Sequence, residues 1–248
     1  PVVAFSLSFA ARLPGAEVAF SVLGTSAAYT SGSAGGAATH TLSYNPGATS
    51  TAIVVSVVME SNGAPSSVKF GGVDMIPVVG ASGSNVGIYY LNNPTTGGAS
   101  NLTFDYSSVT TVNFIAFQVV SLNASDSIEV TATATDTDSN LTLAVPTADS
   151  FVMAGYNFNQ GSNGASASAD SPLTPMFGNF INSGGGAFGY ENGVAAGNQN
   201  YSFTLGGPGS PSDRRVTAAS FNVVPEPGSA ALIGGLGLLA LLRRRRAC

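Results

Sequence analysis

The acidic stretch Asp136-Thr137-Asp138-Ser139-Asn140 has the residue types and the spacing with which a calcium loop begins. Calcium takes about six to eight oxygen ligands, and side chains at alternate loop positions can converge on one ion. Asp136, Asp138 and Asn140 are therefore the candidate ligands, and calcium is the only candidate cofactor. Leu141 stands where an EF-hand loop has its turn glycine, and no Glu closes the loop. A polar hairpin turn is the preferred interpretation.

Few side chains of this chain could carry catalysis. It has one Lys (Lys69), one His (His40), one Cys (Cys248) and no Trp. A Cys/His zinc site needs about four ligands, and a Ser-His-Asp triad on a nucleophile elbow needs a G-x-S-x-G turn that the Gly-Ser pairs here do not supply. His40 alternates with its neighbours on a predicted strand, where we expect a solvated histidine. The chain is predicted not to be an enzyme and to have no catalytic residues.

The C-terminal tail carries three signals in order. The first is an extended break, Val224-Pro225-Glu226-Pro227, because proline cannot continue a strand or a helix interior. The second is the apolar run Ala230–Leu242, which as a helix of 13 residues spans only about 20 Å of a bilayer core about 30 Å thick. The third is a basic cluster that predicts a cytoplasmic stop under the positive-inside rule, formed by Arg243, Arg244, Arg245 and Arg246.

These features resemble the PEP-CTERM sorting signal of Gram-negative bacteria. The resemblance covers the tail only and rests on the Pro-Glu-Pro tripeptide, the apolar run and the terminal arginines. It implies export, an inner-membrane-anchored precursor, and cleavage at or near Pro225–Pro227 by an exosortase-type membrane protease that recognises residues Val224, Pro225, Glu226 and Pro227. The alternative is a plain C-terminal membrane anchor with stop-transfer arginines.

The remainder of the chain is poor in charge. Charged residues make up 8% of the chain and hydrophobic residues 44%, against about 25% charged in an average protein. Residues 1–224 hold four basic and twelve acidic side chains, a net charge of −8, which excludes nucleic acid as a partner. The predicted organisation is a signal-peptide remnant or first strand at 1–16, a sandwich domain at 17–223 and the sorting signal at 224–248.

Runs of β-branched and aromatic residues bounded by Gly, Pro, Asn, Asp and Ser predict strands and no long helix in the body. The fold class is all-β, a two-sheet antiparallel β-sandwich of jelly-roll type followed by a short C-terminal apolar helix. Residues 158–200, rich in Gly, Ser and Asn, are interpreted as long loops at one end of the sandwich. The predicted strands are Val18–Leu23, Thr39–Tyr44, Thr51–Met59, Ser67–Phe70, Val73–Val79, Asn85–Leu91, Ser100–Tyr106, Val112–Ser121, Ser127–Ala134, Leu141–Val145, Phe151–Asn157, Gln199–Leu205 and Val216–Val223.

A second, weaker resemblance covers this body. The body is similar to an extracellular β-sandwich domain found in bacterial secreted and phage-associated proteins. A strand of that domain is matched by Ile53–Val58, its V-x-Y-G-G hairpin by Val68–Val73, and its Y-L-x-N-P turn by Tyr90–Gly97. The resemblance implies a fold and an extracellular location. It implies no activity, because this architecture hosts many functions.

The expected function is a secreted, non-enzymatic structural or adhesive protein of the cell surface or extracellular matrix. Two alternatives stay open. One is a carbohydrate-binding or carbohydrate-active module, in which tyrosines would replace the absent tryptophans as a stacking platform. The other is a self-assembling extracellular filament subunit. The expected partners are the exosortase-type protease and the inner membrane before processing, and exopolysaccharide or copies of the chain itself after it.

Overall fold

The computed structural model of this chain describes residues 21–35, 39–59, 65–78, 86–106, 111–124, 127–159, 166–181, 184–207 and 212–223. Within them lie 17 strands. They are β1 (Ser21–Gly35), β2 (Thr39–Tyr44), β3 (Ala52–Met59), β4 (Ser67–Phe70), β5 (Val73–Asp74), β6 (Ile76–Pro77), β7 (Val86–Asn92), β8 (Ser100–Asp105), β9 (Thr111–Asn123), β10 (Ile128–Asp136), β11 (Asn140–Val145), β12 (Ser150–Asn159), β13 (Ser166–Ala169), β14 (Thr174–Ile181), β15 (Gly184–Val194), β16 (Gly197–Gly206) and β17 (Ser212–Val223).

The strands form four sheets. The first half of the chain builds sheet A, in the order β1-β9-β3-β7-β6, and sheet B, in the order β2-β8-β4-β5. The second half builds sheet C, in the order β10-β17-β12-β15-β14, and sheet D, in the order β11-β16-β13. Neighbouring strands are antiparallel. The all-β, antiparallel prediction is confirmed, and the expected two sheets are corrected to four.

Three hydrophobic cores place the sheets in the order B, A, C, D. One core lies between sheets B and A and includes Phe104 and Phe117. The second lies between sheets A and C and includes Val54 and Phe221. The third, between sheets C and D, includes Tyr156 among its buried side chains. Sheets A and C are thus covered on both faces, which explains why their central strands read as continuous apolar runs and not as alternating ones.

The second half of the chain repeats the first. β10, β17, β12, β15 and β14 occupy in sheet C the places that β1, β9, β3, β7 and β6 occupy in sheet A, and β11, β16 and β13 correspond likewise to β2, β8 and β4. The register agrees as well. Adding 99 to both numbers of the pair Ala52 and Leu122 in sheet A gives Phe151 and Phe221, which are paired in sheet C. The body is a tandem pair of sandwiches stacked through their larger sheets.

The stretch 158–200 was predicted as loops and is corrected by the structure. It contains β13, β14 and β15, and β15 lies between β12 and β14 in sheet C. The small residues that suggested loops permit close contact between sheets. A Cβ on Gly186 would lie 2.1 Å from Val58 Cγ2 of sheet A, and a Cβ on Gly189 would lie 2.8 Å from the Cβ of Ala169 in sheet D. Glycine here is a requirement of sheet stacking, because no real Cβ atom fits at such distances.

One predicted strand is divided in the structure. The single strand predicted over Val73–Val79 is divided between two sheets, because β5 pairs with β4 in sheet B and β6 pairs with β7 in sheet A.

The stretches 1–16 and 224–248, including the expected C-terminal helix, lie outside the described residues. In the described part of the chain no helix has the length and apolar character needed to cross a membrane.

Candidate functional site

The body ends on a central strand of sheet C. β17 lies between β10 and β12, and it is paired on both sides close to its end, Val223 with Ile128 and Phe221 with Phe151. The side chain of Asn222 adds a hydrogen bond from its Nδ2 to Thr147 Oγ1, in the connection before β12. The point at which the tail leaves the body is therefore fixed by hydrogen bonds on both sides. The predicted motif residues Val224, Pro225, Glu226 and Pro227 and the arginines Arg243 to Arg246 lie outside the described residues.

The candidate calcium ligands form the hairpin between β10 and β11. Asp136 Oδ1 accepts hydrogen bonds from the amides of Thr137 at 2.6 Å and Asp138 at 3.2 Å. Asp138 Oδ1 accepts from the Ser139 amide at 2.7 Å and lies 3.2 Å from Arg214 Nη1 of β17. Asn140 begins β11 opposite Ser202. The two carboxylates thus bind backbone amides and an arginine, a geometry that supports the interpretation as a polar hairpin turn.

Acidic and metal-binding side chains are dispersed in the parts of the chain with described coordinates. No group of three or more His, Cys, Asp or Glu residues is placed there so that it could share a metal ion. The two ion pairs in the same parts, Lys69 with Asp74 at 3.3 Å and Arg214 with Asp138 at 3.2 Å, lie on the surface. Exposed pairs of this kind contribute about 0 to 1 kcal/mol each.

His40 differs from the expectation of a solvated histidine. It lies on the inner face of β2, on the same side as Leu42 and Tyr44, and is half-buried. Its ring meets that of Tyr106 edge-on, with centroids 5.9 Å apart. Burial lowers the pKa of the His40 imidazole because the charged form loses hydration. The alternation was visible in the sequence, and it places His40 on the same side of β2 as the apolar Leu42 and Tyr44.

The tyrosines belong to the cores. The described tyrosine side chains are Tyr44, Tyr89, Tyr90, Tyr106, Tyr156, Tyr190 and Tyr201, and each is a member of a core or packs against one. Burial raises the pKa of both Tyr89 and Tyr156 to about 12, since the phenolate would lose its hydration. These tyrosines do not form an exposed platform on which a sugar ring could stack.

The outward faces of sheets B and D are polar and nearly neutral. On β2, the outward positions Thr39, Thr41 and Ser43 are exposed. On β11, Asn140, Thr142 and Ala144 are exposed. Thr142 Oγ1 donates a hydrogen bond of 2.7 Å to Asn200 Oδ1 on the neighbouring strand β16. Hydroxyl and amide groups therefore dominate the outward positions of β2 and β11, as the low charge content indicated, and the Lys69–Asp74 ion pair lies on the surface of sheet B.

The comparison with protein families identifies one segment. The family model of the PEP-CTERM protein-sorting motif matches residues 223–246. The match begins at Val223, the last residue of β17, and covers the Pro-Glu-Pro tripeptide, the apolar run and the arginine cluster. No curated protein and no solved structure matches the chain. The sorting motif and the folded body are therefore contiguous.

Proposed function

We propose that this chain, which its PEP-CTERM motif marks as a secreted, exosortase-processed surface protein, is a non-enzymatic structural or adhesive component of the cell surface or extracellular matrix. The observation that carries the proposal is the motif match at residues 223–246, directly after a folded all-β body. The motif implies a membrane-anchored precursor and processing by exosortase, which is itself a membrane protein.

Each part of the tail has a separate task in this proposal. The apolar run Ala230–Leu242 holds the precursor in the inner membrane, and the arginines keep the C-terminus on the cytoplasmic side. A run shorter than the hydrocarbon core gives a weak anchor suited to removal. Cleavage at or near Pro225–Pro227 then separates a body of net charge about −8 from the cationic tail.

The non-enzymatic role is supported by what the described side chains do. Lys69 and Arg214 form surface ion pairs. His40 packs edge-on against Tyr106, and the described tyrosines lie in or against cores. The polar groups that face solvent on sheets B and D are largely hydroxyls and amides. Such a surface suits hydrogen bonding to a neutral polymer or to another copy of the chain.

Carbohydrate binding is the second candidate, and the outer faces favour it. Rows of Thr, Ser and Asn on sheets B and D offer hydrogen bonds to sugar hydroxyls without aromatic stacking. A glycan array probed with the purified protein tests this candidate. The carbohydrate-binding candidate predicts that the protein binds an oligosaccharide on the array and that Thr41→Val or Thr142→Val weakens this binding. A signal that depends instead on a tyrosine would contradict the hydroxyl-face interpretation.

Truncation of the tail tests the sorting proposal. A variant that ends at Leu242 lacks the arginine cluster, and a control that ends at Arg246 lacks only the last two residues. We expect the control to be cleaved and released to the cell surface like the full chain. The variant without arginines is expected to lose this processing. Identical fractionation of all three chains with an uncut C-terminus would contradict the proposal.

A further inference from the structure

The junction between body and tail leaves little room for a protease. Val223 is paired with Ile128 and is also the first residue of the matched motif. Pro225 follows two residues later. An enzyme that cleaves at or near Pro225–Pro227 therefore meets the folded end of sheet C immediately on the N-terminal side of its substrate peptide.

The connections between strands that lie near the end of β17 belong to the same end of both sandwiches. β3 and β12 run side by side in the same direction, because Ser56 lies against Gly155 and Asn157 Nδ2 donates a 3.1 Å hydrogen bond to the Met59 carbonyl. The starts of β3 and β12 therefore share an end with the last residue of β17. Residues 45–51, 93–99, 124, 127, 146–149 and 195–196 belong to connections at that end, and we call them the tail-exit face; residues 125 and 126 of the β9–β10 connection lie outside the described residues.

The tail-exit face is chemically uniform. Among these described residues only Asp149 is ionisable, and the others are Asn, Pro, Gly, Ala, Ser and Thr; Asp126 lies outside the described part of the chain. The turn at the opposite end, between β10 and β11, carries Asp136 and Asp138 with Arg214 beside them. A face with small neutral side chains can approach another surface closely, because few charges have to be desolvated.

The length of the tail enforces such an approach. Six residues, Val224–Ser229, separate β17 from the apolar run, and fully extended they reach about 20 Å. Roughly 5 to 8 Å of that distance is the headgroup layer on one side of the bilayer. While the run is in the membrane, the body is held close to the membrane surface. We propose that the tail-exit face is the docking surface for the membrane-embedded processing protease, an inference that rests on the proposed processing of this chain.

Charge and bulk placed on the face test the proposal. Ala148 is exposed within it, and Ala144 is an exposed alanine on the outer face of sheet D. Ala148→Arg and Ala148→Glu are expected to slow conversion of the precursor to the cleaved form in cells by at least about fivefold. Ala144→Arg and Ala144→Glu are the matched controls and are expected to convert at the rate of the unaltered chain. Thr95→Arg, on the 93–99 connection, provides a second site, and thermal melting of each purified full-length variant identifies any that fails to fold.

A flexible Gly-Ser spacer of about twelve residues, inserted between Val223 and Val224, distinguishes lost contact between the face and the protease from other effects of the substitutions. With the spacer the face no longer has to meet the protease, so Ala148→Arg should slow cleavage no further than the spacer alone does. Folded Ala148 variants that are cleaved at the normal rate would overturn the docking proposal. Slowing by Glu alone would also overturn it and assign the face to anionic lipid headgroups. Absence of cleavage in the unaltered chain, or cleavage in cells without the protease, would instead contradict the proposed function.

Discussion

The side-chain amide of Asn92 forms two hydrogen bonds with the backbone of Ile128. Nδ2 donates to the Ile128 carbonyl oxygen at 2.9 Å, and the Ile128 N–H donates to Oδ1 at 2.8 Å. Asn92 ends β7 in the first sandwich, and Ile128 begins β10 in the second. Because Ile128 also pairs with Val223, this amide links the first sandwich to β10, the neighbour of the strand from which the tail leaves.

Replacing Asn92 by Asp should weaken the connection between the two sandwiches. The substitution removes the donor and turns a carboxylate oxygen toward the Ile128 carbonyl. We expect the free energy of unfolding to fall by about 1 to 3 kcal/mol. Urea unfolding followed by circular dichroism measures the change. Asn101→Asp, at an exposed position of β8, is the control and should stay within about 0.5 kcal/mol of the unaltered protein. Equal midpoints for the two variants would show that the Asn92 amide does not stabilise the body.

Replacing Gly186 by Ala should disturb the contact between sheets A and C. The added Cβ would lie 2.1 Å from Val58 Cγ2 and 3.1 Å from its Cβ, so the sheets must separate or Val58 must move. Overpacking of this kind costs about 1 to 3 kcal/mol. Gly98→Ala is the matched control, because nothing lies within 4 Å of the Cβ it would add. Thermal melting of the two variants measures the difference.

The same clash can be relieved from its other side. Val58→Ala removes Cγ2, so the double variant with Gly186→Ala should lose less stability than the sum of the two single changes. We expect a coupling of about 0.5 to 3 kcal/mol. Strict additivity, or a Gly186→Ala variant as stable as Gly98→Ala, would contradict the stacking of sheet C on sheet A.

His40 should make stability depend on pH. Burial lowers the pKa of His40 in the folded state. As the pH falls below the ordinary histidine value of about 6.5, the unfolded chain therefore binds more protons than the folded chain. The unaltered protein should therefore lose stability relative to His40→Gln from about pH 6.5 downward, until the lowered pKa is passed. Above about pH 7.5 the difference in melting temperature should be constant. His40 is the only histidine of the chain, so a difference that stays flat down to pH 5 would contradict its burial.

The sequence predicted those strands that show alternation or β-branched runs. β2 has the predicted bounds Thr39–Tyr44, and β3 lies within the predicted Thr51–Met59. Both succeed because local side-chain pattern reflects burial on one face or on two. The tail was identifiable for the same reason, since its proline, apolar and basic segments are local signals that the family match confirms.

The stacking of two sandwiches was not predictable from such local pattern. β15 begins Gly184-Gly185-Gly186, a composition typical of loops, yet Gly186 is needed where the sheet meets Val58. The repeat of the strand arrangement is equally hard to detect in the sequence, because equivalent positions such as Ser56 and Gly155 carry different residue types. Asn92 gave no signal of its own, because its partner is the backbone of a residue in the other sandwich.

The most direct test of the account is the C-terminus of the mature protein. Mass spectrometry of the protein recovered from the cell surface, beside the same protein from cells that lack the exosortase, determines where the chain ends. We expect a body that ends at or near Pro225–Pro227 in the first case and a chain that retains Arg243–Arg246 in the second. Surface protein that retains the arginines in both cases would contradict the account.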